Sequence, residues 1–190
     1  MGSSGEVTTG TEMHDLARRV GEDLERERVA LGFECPMFVP LRTESLDLLR
    51  GRPGEGNRPW SAGAGIAAAG IGIVQAAWLL REVRTLCKED TPVFLRPSLF
   101  RSASQGLLLW EAFVSGKRTT THEEDASAAA VEFKRNWPEI DTADALPCSG
   151  MEVISLAGLA LLRTGWSNDL RLLCEKPAVI GLGDESQKQK

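Results

Sequence analysis

Three carboxylates in this sequence lie where an acid is either costly or well placed for chemistry. Glu111 interrupts an otherwise apolar run, LLLWEAFV at residues 107–114. A carboxylate in a central strand is expensive to bury without a cation or hydrogen-bond donors. It is a functional group, or it faces solvent, or it pairs with an arginine such as Arg96 or Arg101. Glu34 follows the short apolar run VALGF at residues 29–33. Binding groups in α/β sheets gather beyond the carboxyl ends of strands; a loop carboxylate capping a neighbour is the plainer alternative. Asp125 lies in THEEDA, residues 121–126. Thr121 with Glu124 has the capping-box pattern, and acids in a first turn answer the helix dipole. That accounts for Glu123 and Glu124. It accounts less well for Asp125, a poor helix former beside the alanines at 126 and 129. His122, three residues before Asp125, projects from the same side of the helix.

Three carboxylates from two strand positions and a helix start form the kind of set that holds a divalent metal for phosphoryl chemistry. Oxygen ligands suit Mg²⁺ or Mn²⁺. In this reading Glu111 and Asp125 hold the metal, Glu34 completes or neighbours the site, and His122 assists a proton transfer.

The elements that must position these residues follow from periodicity. Met13, Leu16, Ala17, Val20 and Leu24 recur at helical spacing and predict an amphipathic helix, with Thr9 and Glu12 in capping-box register. Residues 29–33 predict a strand buried on both faces, and 41–58 a polar loop that is marginally basic, with a helical turn at 45–49. Strands are expected at 92–95, 107–114 and 177–182, a helix at 122–137, and a buried helix at 151–162. On the helix at 122–137, Ala126, Ala129, Ala130, Phe133 and Trp137 form the expected buried stripe. The segment 61–80 has 20 residues without a charge, the length of a membrane helix. Its four glycines and seven alanines contribute little transfer energy, so a buried helix is expected and no membrane is favoured. Strands alternating with helices imply one layered α/β domain over residues 11–183, with flexible segments at 1–10 and 184–190.

Composition narrows the classes. The chain has 190 residues, 42% hydrophobic and 26% charged, which excludes wholesale disorder. Its 22 basic and 27 acidic side chains give a net charge of -5. Overall charge therefore does not support nucleic acid as a partner, and any such role needs a local patch or bridging metal ions. Cys35, Cys87, Cys148 and Cys174 have no zinc-ligand spacing and read as small buried hydrophobes. The start of the chain lacks the apolar core of a signal peptide, so a cytoplasmic location is expected.

The step His122-x-x-Asp125-Ala126, after a strand bearing Glu111, is similar to the ending of ribonuclease-H-like nucleases of the Holliday-junction-resolvase type. GFECPMFVP (32–40), RPWSAGAG (58–65), LLLWEAFVSG (107–116) and HEEDASAAA (122–130) resemble uncharacterised predicted nucleases of that superfamily. The likeness is patchy and runs from roughly residue 11 to 182. It implies a ribonuclease-H-like α/β fold, a mixed or parallel sheet flanked by helices, and metal-dependent phosphodiester hydrolysis. Glu34, Glu111 and Asp125 would be its acidic positions, with His122 beside them. That family opens with a three-stranded meander whose first strand supplies an aspartate. Here nothing strand-like precedes the helix at Met13, so the chain reads as an amino-terminally incomplete member with an exposed sheet edge. The alternative is a non-catalytic α/β domain that acts through self-association, such as a homodimer, or through a protein partner.

Overall fold

The computed structural model describes residues 9–56, 59–114, 121–148 and 150–182. Apart from Thr9 and Gly10, the ends expected to be flexible lie outside the described residues. The elements in chain order begin with α1 (Met13–Leu24), β1 (Arg28–Phe33), β2 (Phe38–Pro40) and the long α2 (Gly63–Leu86). They continue with β3 (Val93–Phe94), α3 (Pro97–Ser102), β4 (Gly106–Val114) and α4 (His122–Asn136). The last three are β5 (Val153–Ser155), α5 (Leu156–Arg163) and β6 (Ala178–Leu182). This is a layered α/β domain with a mostly parallel sheet.

β4 is its spine. β1 runs parallel along one edge of β4, pairing Arg28 with Gly106 through Phe33 with Glu111. β3 pairs with Leu107 and Leu108, and β6 with residues 110–114, both parallel. Because β1 overlaps each of those registers, β3 and β6 share the opposite edge of β4, end to end. β2 and β5 make a separate antiparallel pair.

Alternation along β4 sorts the two faces. Leu107 and Leu109 join α1, α2 and α5 in one core cluster, with Leu24, Leu79, Leu80 and Leu161. Trp110, Ala112 and Val114 face the other way, against α4 and Ile180. α1 buries Ala17, Val20 and Leu24, the face its spacing predicts. Its start departs from expectation: Glu12 is the N-cap and no side chain caps the helix. Gly10, with open space around it, separates Thr9 from the helix start.

Three further expectations are corrected. Residues 151–162 are not one helix: β-branched Val153 and Ile154 pair with β2, and the Ser155 hydroxyl accepts from Gly158 N–H to start α5. α2 is less buried than expected. Ala76, Leu79, Leu80 and Val83 enter the core while Ile66, Ile71 and Val74 stay exposed. Only 28% of its most apolar window is buried, and it is the one helix among the described residues long and apolar enough to cross a membrane. Of the four cysteines only Cys35 is buried; Cys174 is exposed. Gly72 of α2 lies against Cys35, where a Cβ would come within 2.3 Å of Sγ, so this close helix approach requires glycine.

Candidate functional site

Glu111 and Asp125 lie on opposite faces of the sheet, and Glu34, just past the end of β1, lines a cavity on each side. Glu111 follows Trp110 on β4, so its side chain leaves the face opposite α4. It is met there by Arg52, a residue of the loop after β2. Arg52 Nη2 and Nη1 donate to the two oxygens of Glu111 at 2.7 and 2.8 Å, and Met37 N–H donates to Glu111 Oε2 at 2.9 Å. Arg52 Nε donates to Glu55 Oε1 at 2.7 Å, and the Arg52 and Trp60 N–H groups also bind Glu55. The guanidinium lies 4.6 Å from the Phe38 ring centroid. All three charged side chains are 1% exposed.

Local sequence explains the loop. Gly54 has φ +93° and lies so close to the Ala145 carbonyl that a Cβ would come within 2.6 Å of it. The turn folds Arg52 and Glu55, three residues apart, back under β4. Burial pushes the Glu111 carboxyl up, against the pull of the Arg52 hydrogen bonds and charge. Burial also works against the Arg52 charge, but Glu111 and Glu55 outweigh it and hold the guanidinium firmly protonated. Arg52 is thus the partner of Glu111. Arg96 instead pairs with Glu175, and Arg101 binds the Pro138 carbonyl and Asp141. The network forms the back of a cavity of about 640 Å³ that Trp60, Gly65 and Ala68 also line.

The other face brings together Glu34, His122 and Asp125. Glu34 lies one residue past β1 and on the same side as Ala30 and Gly32. α4 opens with the predicted capping box, Thr121 accepting from Glu124 N–H and Glu124 binding back to Thr121 N–H. This sets Asp125 on the buried side of the first turn, 8% exposed, and leaves His122 outside with its side chain 98% exposed. The buried face is turned from the expected stripe: Asp125 and Ala129 are buried, while Ala126 is exposed. His122 Nδ1 is 3.8 Å from Glu34 Oε2. Partial burial and then the Asp125 charge raise the Glu34 carboxyl, with His122 opposing.

A small cleft of about 140 Å³ lies between these groups, bounded by Gly32, Trp110, Ala112 and Ala129. Trp110 is 4% exposed and packs on Phe133 at 4.8 Å with the rings tilted by 31°, and its Nε1–H has no acceptor among the described residues. The ring is held over Gly32, where a Cβ would come within 2.4 Å of Cε2, the carbon bonded to Nε1.

Glu111 is therefore not brought together with Asp125, while Glu34, just past the end of β1, lines the larger cavity with Glu111 and the smaller cleft with Asp125. Both oxygens of Glu111 are committed to Arg52, and the sheet separates it from α4. Among the described residues no group of three His, Cys, Asp or Glu side chains could hold a metal ion. The donor set does not fit the resident Mg²⁺ or Mn²⁺ that the trio was expected to bind.

Glu34, His122 and Asp125 stand out in the sequence; Arg52, Glu55 and Trp110 do not. Arg52 was visible only as one of four loop arginines; the signal beside it was Glu55, three residues on, across a Pro-Gly turn. Compared with protein-family models, with curated proteins and with solved structures, the chain matches none of them.

Proposed function

We propose that this is a ribonuclease-H-like domain, a nuclease homologue, that acts by self-association through its open sheet edge rather than by metal-dependent cleavage. The observation that carries the reading is the state of β1. Its sequence, RVALGF, is that of an inner strand, yet among the described residues it pairs on one side only, with β4. An apolar strand with an unpaired row of N–H and C=O groups is a template for another strand. A second copy is the simplest occupant, because two β1 edges related by a two-fold axis give an antiparallel pair and one continuous sheet. The net charge of -5 favours a protein partner over nucleic acid.

Sedimentation velocity over a dilution series tests this, together with amide exchange of β1. A concentration-dependent dimer is expected, with β1 amides that lose protection on dilution and with Val29→Lys shifted to monomer. A monomer at all concentrations, or a dimer whose β1 amides exchange freely, overturns the reading.

A second reading, phosphodiester hydrolysis, is favoured by the meeting of Glu34, His122 and Asp125 at the carboxyl ends of β1 and β4. Cleavage of branched or linear nucleic acid in Mg²⁺ or Mn²⁺, abolished by Asp125→Asn and retained by Glu111→Gln, would establish it in place of association.

A further inference from the structure

The outer face of α2 is apolar and uncovered along its amino-terminal half. Gly63, Ile66, Ala67, Gly70, Ile71 and Val74 follow helical spacing and are all exposed. The three large side chains, Ile66, Ile71 and Val74, are 50%, 61% and 68% exposed. The opposite face, from Ala69 and Gly72 to Val83, is the one that enters the core. An exposed apolar face of this kind marks a contact surface. No charged residue lies between Ser61 and Leu80. On a protein with a net charge of -5, two copies can bring such a face together without repulsion across it.

The glycines specify what kind of surface belongs there. A glycine inside a helix weakens it relative to alanine, so it needs a reason. Two glycines of α2 have one within the chain. A Cβ at Gly72 would meet Cys35, and a Cβ at Gly65 would come within 2.6 Å of the Pro59 carbonyl. Gly70 has none, because among the described residues nothing lies within 4 Å of the Cβ it lacks. What remains is the close approach of another backbone. A lipid surface gains nothing from glycine, whereas a second helix does. The stripe is also self-complementary. Ala67 and Gly70 form a shallow floor, with Ile66 on one side and Ile71 on the other. A two-fold crossing at Ala67 and Gly70 sets floor against floor and places each isoleucine at the flank beside its own copy.

We propose that α2 pairs with α2 of a second copy across Ala67 and Gly70, in an interface separate from the β1 edge. One helix face is small beside a standard interface, so this contact is the weaker of the two and joins dimers formed through β1. A chain with two different two-fold contacts grows past the dimer.

Sedimentation velocity at rising concentration should show species beyond the dimer, and Ile71→Lys and Gly70→Leu should each remove them while keeping the β1 dimer. Gly70→Leu is the sharper variant. The position is open and leucine favours a helix, so Tm should rise as the larger species are lost. Oxidative cross-linking reads the α2 contact by itself. In a Val29→Lys, Cys174→Ser chain, Gly70→Cys should give a covalent dimer, and Lys134→Cys, at an exposed position on α4, should not. A parent that cross-links at residue 70 without pairing through β1 ends the β1 reading and supports this one. Four results would each overturn the proposal: no cross-linking at residue 70, equal cross-linking at the two positions, larger species that persist in Gly70→Leu, or flotation with phosphatidylcholine vesicles that Ile71→Lys abolishes.

Discussion

Arg52 grips Glu111 with two parallel hydrogen bonds of 2.7 and 2.8 Å, a fork across two side chains that are each 1% exposed. A bidentate guanidinium–carboxylate pair out of water is among the stronger polar contacts a protein makes, and it is unforgiving of losing one partner.

The first prediction follows from that asymmetry. Arg52→Met should destabilise the protein by about 3–5 kcal/mol, because Glu111 and Glu55 are left buried without a counter-charge. Glu111→Gln should cost less, since the amide oxygen still accepts from Met37 N–H and Arg52 keeps Glu55. Urea denaturation of the two variants ranks them; the reverse order would remove the structural role given to Arg52.

Trp110 and Gly32 are coupled by contact. Gly32→Ala should cost about 1–3 kcal/mol, because the added methyl enters space held by the indole. In a Trp110→Leu background the ring is gone and the same substitution should be nearly neutral, so a double-mutant cycle measures the coupling directly.

Ala129 and Asp125 share the buried side of α4 but should respond to different degrees. Ala129 is 4% exposed where α4 packs on the sheet, and Ala129→Leu should lose about 1–3 kcal/mol. Asp125→Asn should change stability by less, since it keeps the side chain's shape while removing the charge that acts on Glu34. Thermal melts without added metal decide; a marked drop in Tm for Asp125→Asn would make Asp125 a structural partner.

Glu34 should impose a small pH dependence. Its carboxyl is raised by partial burial and by Asp125, so the folded state holds its proton more tightly than the unfolded state does. Stability from this group is then present at acid pH and lost as pH rises through the raised value. Glu34→Gln should therefore raise the unfolding free energy slightly at pH 7, by less than about 0.5 kcal/mol for a group this exposed, and leave it unchanged at acid pH, as urea denaturation at the two pH values would show.

The cysteines should differ in reactivity. Burial and the neighbouring Glu111 push the Cys35 thiol up to about 12, whereas Cys174 is exposed. A disulfide reagent at neutral pH should modify Cys174 early and Cys35 only on unfolding. Timed labelling with mass mapping distinguishes them.

Much of this fold is carried by short-range pattern. The spacing of Ala17, Val20 and Leu24 marks the buried face of α1, and Thr121 with Glu124 marks the start of α4, because helix periodicity and capping act over a few residues. The apolar runs that contain Leu31 and Leu109 become β1 and β4 for the same reason. The cost of burying Glu111 was also legible from its run of apolar neighbours. Its remedy was not: Arg52 lies 59 positions away, and only the turn at Gly54 against Ala145 aims its guanidinium under β4. The same holds for 151–162, where the partner strand β2, more than a hundred residues earlier, converts Val153 and Ile154 from helix to strand. The separation of Glu111 from Asp125 is likewise tertiary. One residue's step along a strand reverses a side chain, so Glu111 and the cleft beside Trp110 are neighbours in sequence and are separated by the sheet itself.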